Sequence, residues 1–316
     1  MIRERKPKMV IVGGGTGLSV LLRGLKKYPV DITAVVTVAD DGGSSGRLRD
    51  EMEIPPPGDV RNVLVALSDV EPLVEALFQH RFTAGDLSGH ALGNLLLAGM
   101  TSITGDFFHA ITEMSKVLNV RGRVLPAANQ SVVLHAEYAD GTTVTGESKI
   151  PYRGEKIKRV FLTPEHVEPL TETLNEIRKA DLLVFGPGSL YTSILPNLLV
   201  KKIGEAVLKA KAKKVYVCNV MTQAGETMGY TASDHVQALH NHLEEPFIDT
   251  VIANNGDIPA HLLKRYEKEL STPVVCDADR LKEMNIAVIQ DMLAKYDDNV
   301  VRHDTLKLAS ILYSLL

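Results

Sequence analysis

The sequence contains only two cysteines, Cys218 and Cys276, among 316 residues. Both lie in apolar, strand-like runs, which is typical of small buried side chains in a reducing compartment rather than of a disulfide framework. Histidines at zinc-ligand spacing are also missing, because His235, His240 and His242 do not fall on one face of a helix. We predict that these three lie on a solvated helix and that the chain has no metal centre.

An excess of basic charge and a long apolar run are absent as well. Lys and Arg number 35 against 39 Asp and Glu, so the net charge is −4 and the pI is near 6.2. No basic face for nucleic acid is expected. The first apolar run, Met9 to Val12, is too short for a signal peptide or a membrane span. These observations predict a cytoplasmic protein without a nucleic-acid partner.

Short apolar strands alternate with helices along most of the chain. "KMVIVGG", a helix with apolar residues at Leu18, Leu21, Leu22 and Leu25, and "VDITAVVTVADD" predict a parallel βαβ unit. Later strands are "ADLLVFGPGSL", "KKVYVCNV", "DTVIANN" and "TPVVCDAD", and "TLKLASILYSLL" is a final helix. We predict an α/β, Rossmann-like fold whose mostly parallel sheet carries helices on both faces.

Two insertions interrupt this alternation. The segment of about 59–118 reads as mostly helical, with Asp59 as an N-cap. The segment of about 124–162 alternates around Asp140-Gly141, which predicts a small antiparallel β insertion. Residues 1–316 are therefore interpreted as a single domain that contains both insertions.

Every strand ends in a tip rich in polar residues or glycine, including "GGGTG", "ADDGGSSG", "GPGSLYTS", "NVMTQAGE" and "ANNGD". The carboxyl ends of parallel strands share one edge of the sheet, where ligands bind at the topological switch point. Turn residues are common after any strand, but four or five in succession favour a ligand cleft.

The first tip suits a phosphate group, because a glycine loop followed by a helix N-terminus presents free backbone amides. No Gly-Lys-Ser/Thr follows, so it is not a Walker A loop, and Leu18 replaces the third glycine of the dinucleotide fingerprint. The alternative is a glycine turn that only allows tight packing. The candidate residues are Gly13, Gly14, Gly15, Thr16 and Gly17.

The second tip begins with Asp40 and Asp41, at the place where a dinucleotide fold carries its ribose-binding acid. They are candidates to bind sugar hydroxyls or a Mg²⁺ ion on a diphosphate, whereas the alternative is an Asx-turn. The following glycines and serines contain G-x-S-x-G, but a serine-hydrolase elbow is rejected because residues 47–57 show no amphipathic helix. A loop that binds an anion through its amides and hydroxyls is predicted instead, from Gly42, Gly43, Ser44, Ser45 and Arg47 or Arg49.

A second anion or sugar site is predicted at the third tip, "GPGSLYTS", with a rigid turn at the proline as the alternative. Its candidate residues are Gly186, Pro187, Gly188, Ser189 and Ser193. His90 and Asn94 in "GHALGNL" lie one helical turn apart and are candidates to face the cleft, although a structural role is equally compatible with the sequence.

As a set, "IVGGGTGLSVLLRGLK", "VVTVADDGGSSGRLR", "PPPGDVRN", "GHALGNLLLAG", "GPGSLYTSILPNLL", "CNVMTQAGET" and "VIANN" resemble the YvcK/gluconeogenesis-factor family. That family belongs to the CofD-like group, which includes 2-phospho-L-lactate transferase. The resemblance spans almost the whole chain and implies a CofD-like fold with a nucleotide cleft at the strand ends.

The resemblance also implies a ligand and a role. Members of this branch are associated with UDP-sugars such as UDP-N-acetylglucosamine, with growth on gluconeogenic carbon sources and with cell shape, and NAD, GDP and Mg²⁺ remain open as alternatives. It adds binding candidates outside the three tips, namely Asn219, Thr222, Gln223, Asn254, Tyr266 and Arg302. Thr305 opens the last helix, where the helix dipole favours phosphate, and is a candidate for regulatory phosphorylation.

Three functional hypotheses follow. The first is a nucleotide-sugar-binding regulator, because the sequence offers no clear nucleophile, metal cage or acid–base pair. A protein of carbon or cell-wall metabolism is the expected partner of such a regulator. The second is a CofD-like transferase, although "GGSSGRLRDE" departs from the transferase pattern after Asp41. The third is an NAD-binding protein. A homodimer formed through the β insertion and the C-terminal helix is also expected.

Overall fold

The computed structural model describes residues 5–297 and 300–316. Within them, seven parallel strands form a central sheet in the order β10-β9-β8-β7-β1-β2-β3. Their bounds are β1 Lys8–Gly13, β2 Asp31–Val36, β3 Arg123–Pro126, β7 Leu182–Phe185, β8 Lys213–Val217, β9 Thr250–Asn254 and β10 Ala287–Asp291. The predicted parallel sheet is confirmed.

Two small antiparallel sheets accompany the central one. The first contains β4 Val133–Tyr138, β5 Thr143–Thr145 and β6 Ile157–Thr163 in the order β5-β4-β6. The second is the hairpin of β11 Ala294–Asp297 and β12 Val300–His303. The hairpin predicted around Asp140-Gly141 is present as β4–β5, and β3 joins the central sheet.

Helices flank the central sheet and complete the α/β architecture. In chain order they are α1 Gly15–Leu25, α2 Gly43–Met52, α3 Gly58–Leu67, α4 Pro72–Gln79, α5 Leu92–Thr104, α6 Phe107–Val117, α7 Thr171–Lys179, α8 Leu195–Leu198, α9 Lys201–Lys209, α10 Ala232–Leu243, α11 Ala260–Lys268, α12 Ala278–Glu283 and α13 Thr305–Ser314. A π-helical turn, Leu190–Ile194, leads directly into α8. No helix in the described part of the chain is long and apolar enough to cross a membrane.

The core lies where the apolar periodicity predicts it. Met9 to Val12 of β1 are at most 1% exposed, because helices cover both faces of a central parallel strand. The apolar stripe of α1, Leu18 to Leu25 at helical spacing, is fully buried and packs toward α3 and α13. This rigid β1–α1 unit fixes the position of the glycine loop between them.

Two local predictions are wrong, and one strand of the central sheet was not predicted. Residues 43–52 form α2 instead of a loop, because a helix with the single apolar anchor Leu48 shows little amphipathic pattern. "TPVVCDAD" is irregular apart from a bridge at Pro273, which lacks a backbone N–H. The edge strand is β10 instead, whose partly exposed residues lack the continuous apolar pattern of a covered strand.

The histidines of α10 are not solvated, contrary to the prediction. His235 is fully buried and His240 is 7% exposed. His240 Nε2 accepts a hydrogen bond from the Ile248 N–H at 3.2 Å, and His242 Nε2 accepts one from the Val160 N–H at 3.0 Å. Burial lowers the pKa of all three rings. A neutral imidazole that is hydrogen-bonded to the backbone can be buried at little cost. The residue type alone does not show whether a histidine is buried in this way.

Candidate functional site

A cleft of about 450 Å³ opens at the carboxyl ends of the central strands. The chain leaves β1 toward β2 and β3 on one side and later returns to β7, β8 and β9 on the other side. The gap between these two halves is the topological switch point. Residues 14–17, 187–189 and 219–223 form the walls of the cleft, while Ser193, Tyr266 and residues 300–303 also line it.

The N-terminus of α1 forms one wall. Its N-cap is Gly14, which supplies no side-chain cap, and the first turn contains no acidic residue. Thr16 is exposed in this turn. A Cβ on Gly17 would lie 2.7 Å from the Pro187 carbonyl oxygen, and Gly15 has φ +64. The glycines therefore serve tight packing and a turn, while the helix end still presents amides to the cleft.

The loops after β7 and β8 hold each other in place. Asn219 donates from Nδ2 to the Gly188 carbonyl oxygen at 2.9 Å and accepts from the Gly188 N–H at 3.3 Å. Gln223 Nε2 donates to Ser189 Oγ at 2.5 Å. Thr222 is buried and accepts from the Thr272 N–H at 2.9 Å. The polar residues of this wall thus form a fixed network that faces α1.

Glu226 lies behind this wall, at the start of the π-helical turn. Its carboxylate accepts from Thr192 Oγ1 at 3.3 Å and from the backbone amides of Tyr191 and Thr192 and the Ser189 hydroxyl, which lower its pKa. Burial outweighs these contacts and raises the pKa to about 7. The helix end predicted as a second anion site therefore already contacts an internal carboxyl group.

A group of carboxyl groups extends from the α1 loop to the antiparallel sheet. Asp59 accepts from the Gly15 N–H, but burial, followed by repulsion from Asp40, raises its pKa to about 7. Burial raises the pKa of Glu147 to about 8, and Asp40 and Asp59 add to the shift. This part of the molecule therefore holds protons near neutral pH.

The sequence suggested Asp59 as the N-cap of α3, and this prediction is wrong. Pro57 occupies that position, and Asp59 lies within the first turn of the helix. From there its carboxyl group reaches the α1 loop, since a Cβ on Gly14 would lie 2.5 Å from Asp59 Oδ2.

The C-terminal hairpin and α11 cover the cleft. The Tyr266 hydroxyl accepts from the Val301 N–H at 2.9 Å. Burial lowers the pKa of His303 to about 4, so its neutral ring donates from Nε2 to the Cys218 carbonyl oxygen at 3.0 Å. Arg302 is exposed and lines the cleft. Its backbone pairs with Lys295 in the hairpin, but its guanidinium group has no ion pair or hydrogen bond with the part of the chain that the structure describes. It is available to an anionic ligand.

Several predicted residues lie outside the cleft lining. Asp40 Oδ1 accepts from the Gly42 N–H at 2.9 Å, which is the Asx-turn alternative, and Asp41 Oδ1 accepts from the Ser148 N–H at 2.7 Å. Gly13 is buried in β1, and Gly186 makes the turn after β7 with φ +81.

The predicted anion loop holds α2 onto α5. Ser44 Oγ lies 3.1 Å from His90 Nδ1 and accepts from Asn94 Nδ2 at 3.0 Å, and all three residues are buried. Arg47 donates to the Ser88 carbonyl oxygen at 2.8 Å. The stated reason for rejecting a hydrolase elbow, a missing helix, is wrong because α2 begins at Gly43. The Ser44 hydroxyl nevertheless has its hydrogen bonds within the protein, and Ser44 does not line the cleft at the strand ends.

Two further predicted residues are near the hairpin, while Ser45 is buried in α2 and does not line the cleft. Asn254 Oδ1 accepts from the Leu293 and Ala294 N–H groups at 2.8 and 3.0 Å, so it positions β11 without lining the cleft. Thr305 is the first residue of α13, whose N-terminus is capped by the Asp304 carboxylate.

Sequence reasoning missed part of the site. Asp59 and Glu226 stood in quoted segments and Glu147 within the predicted β insertion, but nothing in one sequence indicated that Asp59 and Glu226 are near enough to raise the pKa of Glu147. Val220, Met221, Val301 and His303 line the cleft as well. The only signal for His303 was its position next to Arg302.

Comparison with known proteins identifies the family. The model of the family described as 2-phospho-L-lactate transferase CofD matches residues 9–294. The chain belongs to the CofD family.

Its close relatives define the branch. The chain is 68% identical to the gluconeogenesis factor of Bacillus subtilis (strain 168), over 99% of each chain. It is 62% identical to the gluconeogenesis factor of Halalkalibacterium halodurans, over 96% of this chain and 95% of the relative. A crystal structure of a UPF0052 family protein from Bacillus halodurans has 62% identity and a TM-score of 0.95, and covers 97% of this chain and 99% of the other. The gluconeogenesis-factor branch recognised in the sequence is confirmed, as is the fold.

Proposed function

We propose that the protein is a regulator that binds a nucleoside diphosphate sugar of the UDP-N-acetylglucosamine type and does not convert it to a product. The observation that supports this most directly is the position of Arg302. Its guanidinium group has no protein partner in the described chain and lies on the rim of a cleft. The opposite wall is the N-terminus of α1, where Gly14 supplies no side-chain cap and Asp59 accepts from the Gly15 N–H alone. A diphosphate between them would contact both a cation and helix amides.

The remaining lining suits the other parts of such a ligand. Tyr266 presents an aromatic ring to the cleft, and its hydroxyl is held by the hairpin. An aromatic ring can stack on a base. Asn219, Gln223, Ser189 and Ser193 offer amide and hydroxyl groups for sugar hydroxyls. Asp40 and Asp41 are assigned to support the loops rather than to bind ribose, since their carboxylates are used by backbone amides.

Calorimetric titration with UDP-N-acetylglucosamine, UDP-glucose, NAD and GDP tests the proposal. We expect saturable heat with a UDP-sugar, and a tenfold to hundredfold weaker affinity for Arg302→Ala, since a hydrogen bond to a charged group contributes roughly 1.5–3 kcal/mol. Arg178→Ala is the matched control, because Arg178 is exposed on α7 and makes one long contact of 3.5 Å to Asn175. No saturable heat with any UDP-sugar would refute the proposal, and saturation only by NAD or GDP would assign the cleft to the alternatives.

The second candidate is a CofD-like transferase, which the family and the carboxyl groups of Asp40 and Asp59 favour. No group of three or more His, Cys, Asp or Glu residues in the described chain forms a metal site. A Mg²⁺ ion would therefore need phosphate oxygens and water beside these two carboxylates, which is a common arrangement for this ion. The ion would polarise the diphosphate. Release of a nucleoside monophosphate in the presence of a deazaflavin acceptor would support this function.

The cellular setting is part of the same proposal. We place the protein in the cytoplasm as a homodimer that adjusts carbon flow into cell-wall precursors, and so cell shape, through a protein partner. Phosphorylation of Thr305 would put a phosphate directly after the strand that carries Arg302 and next to the Asp304 cap. Like-charge repulsion would then disturb the hairpin. Intact-mass measurement of the native protein during gluconeogenic growth should show the added phosphate. Its absence under all growth conditions would refute the proposed phosphorylation of Thr305.

A further inference from the structure

Helix α5 is apolar on all sides. Its 13 residues, LGNLLLAGMTSIT, include no charged side chain. Asn94, Leu97, Ala98 and Thr101 form its buried face. Residues at helical spacing on the opposite side are Leu92, Leu96, Gly99 and Ile103, of which Leu96 is 38% and Ile103 is 81% exposed. A helix that is hydrophobic all round is normally covered on all sides.

Helix α4, which packs beside α5, also carries exposed apolar side chains. An antiparallel bridge between Arg81 and Ala91 joins α4 and α5 as a hairpin, and the two helices pack together. On α4, Leu73 is 80% and Leu77 is 50% exposed. We call the surface made by Leu73, Leu77, Leu92, Leu96, Gly99 and Ile103 the α4–α5 face. It lies outside both the β insertion and the C-terminal helix that the sequence suggested for dimerisation.

The α4–α5 face is complementary to itself. The spacing of Leu92, Leu96, Gly99 and Ile103 is four, three and four residues, and it reads the same in both directions. In an antiparallel pair of α5 helices about a twofold axis, Leu92 meets Ile103 of the second copy, and Leu96 meets Gly99. A Cβ on Gly99 would have no atom within 4 Å in its own chain, so the glycine leaves room for a leucine knob from another helix.

The lack of charge on α5 also favours a second copy of this chain as the partner of the α4–α5 face. An isologous dimer brings a surface against its own copy, so any charge near the axis faces a like charge. Helix α5 carries none. On α4 the acidic Glu75 pairs with Arg23 at 2.6 Å, which leaves the exposed leucines of that helix beside a neutralised group.

The area indicates a weak dimer. Leu73, Leu77, Leu96 and Ile103 are 80%, 50%, 38% and 81% exposed and supply a small apolar centre. With a polar rim, such an interface belongs to the low end of specific interfaces, about 1,200 Å² of total buried area or less. We infer that two copies of this chain associate through the α4–α5 face, with the α5 helices antiparallel and Leu96 packed over Gly99 of the second copy. This inference rests on the homodimer named in the proposed function and locates its interface, and it is independent of the nucleotide ligand, which calorimetry tests separately.

Sedimentation velocity of the full chain from about 1 to about 200 µM tests the inference, because an interface of this size is expected to dissociate in the micromolar range. Wild type should pass from monomer to dimer within this range. Ile103→Glu should weaken dimerisation at least about tenfold, because the charge would be buried at the interface. Val117→Glu is the matched control, since Val117 is a 63% exposed apolar residue of the neighbouring α6 outside the face.

Gly99→Leu distinguishes packing of Leu96 over Gly99 from nonspecific hydrophobic association. If Leu96 packs over Gly99 of the second copy, the added side chain fills that space and weakens the dimer, although it makes the surface more apolar. Circular dichroism and thermal unfolding should show that both variants remain folded, because neither position packs against its own chain. A monomer throughout the range, a dimer that Ile103→Glu leaves intact, or a dimer that Gly99→Leu strengthens would each overturn the inference.

Discussion

Asp59→Asn should make the protein more stable at alkaline pH and leave it nearly unchanged below about pH 4. Asp59 ordinarily ionises near pH 3.8, and burial together with Asp40 raises its pKa to about 7 in the folded chain. Asparagine has the same shape and retains an oxygen that can accept from the Gly15 N–H. It removes only the charge.

The sign of the effect follows from proton linkage. Between pH 3.8 and 7 the folded chain holds a proton on Asp59 that the unfolded chain has released. The stability contributed by this group is therefore complete below about pH 4 and is lost as pH rises through about 7. The asparagine variant lacks this loss, so its stability relative to wild type grows with pH.

The magnitude can be bounded. A shift of about three pH units corresponds to about 4 kcal/mol at 1.36 kcal/mol per unit. Asp59 keeps partial contact with solvent, which screens the charge, so about half of this value is expected. From pH 5.5 to pH 8 the variant should gain on the order of 1–2 kcal/mol over wild type in the free energy of unfolding.

Urea unfolding at pH 5.5 and pH 8 measures this difference. Glu147 and Glu226 also have raised pKa values, but they are present in both proteins and largely cancel in the comparison. Asp279→Asn is the control, since the side chain of Asp279 is fully exposed and its removal should give no pH-dependent gain. An equal difference between Asp59→Asn and wild type at both pH values, or a loss at pH 8, would refute the reasoning.

Two further predictions concern the walls of the cleft. Gly17→Ala should lower the free energy of unfolding by about 1–3 kcal/mol, because its Cβ would clash with the Pro187 carbonyl oxygen. Gly99→Ala is the control. Its Cβ meets no atom within 4 Å, so it should raise the free energy of unfolding by up to about 1 kcal/mol in the same urea experiment. Equal effects of the two alanines would contradict this account. Binding of a phosphate-containing ligand near Ser189 should raise the pKa of Glu226 above its value of about 7 and draw a proton from solution. Calorimetry at pH 7.5 in buffers of different ionisation enthalpy should then give different heats, and Glu226→Gln should reduce the difference; identical heats in all buffers would show that Glu226 does not respond to the ligand.

The sequence was most informative where one element carries its own signal. The apolar run from Met9 to Val12 predicts β1, because a strand buried on both faces is continuously apolar. The leucines from Leu18 to Leu25 predict α1, because a helix buried on one face has apolar residues at helical spacing. Those elements position the glycine loop, so the place of the cleft could be predicted from the strand order and the strand tips.

Elements with little buried surface were the ones that pattern reading missed. Helix α2 has the single large apolar anchor Leu48, and β10 is an edge strand with exposed residues. Their structure depends on neighbours from distant parts of the chain, such as His90 and Asn94 for α2.

By itself, the sequence determined the family, the parallel α/β plan and the edge of the sheet at which a ligand would bind, because these follow from local periodicity and from glycine and polar residues after each strand. Only the tertiary structure decided what each polar residue does. It assigned Asp40 and Asp41 to backbone amides and left Arg302 without a partner in the described chain. It also brought Asp59 and Glu147 together from segments almost 90 residues apart. Carboxyl groups acquire shifted pKa values from burial and from each other's charge, and both are properties of distance in space rather than of position in the chain.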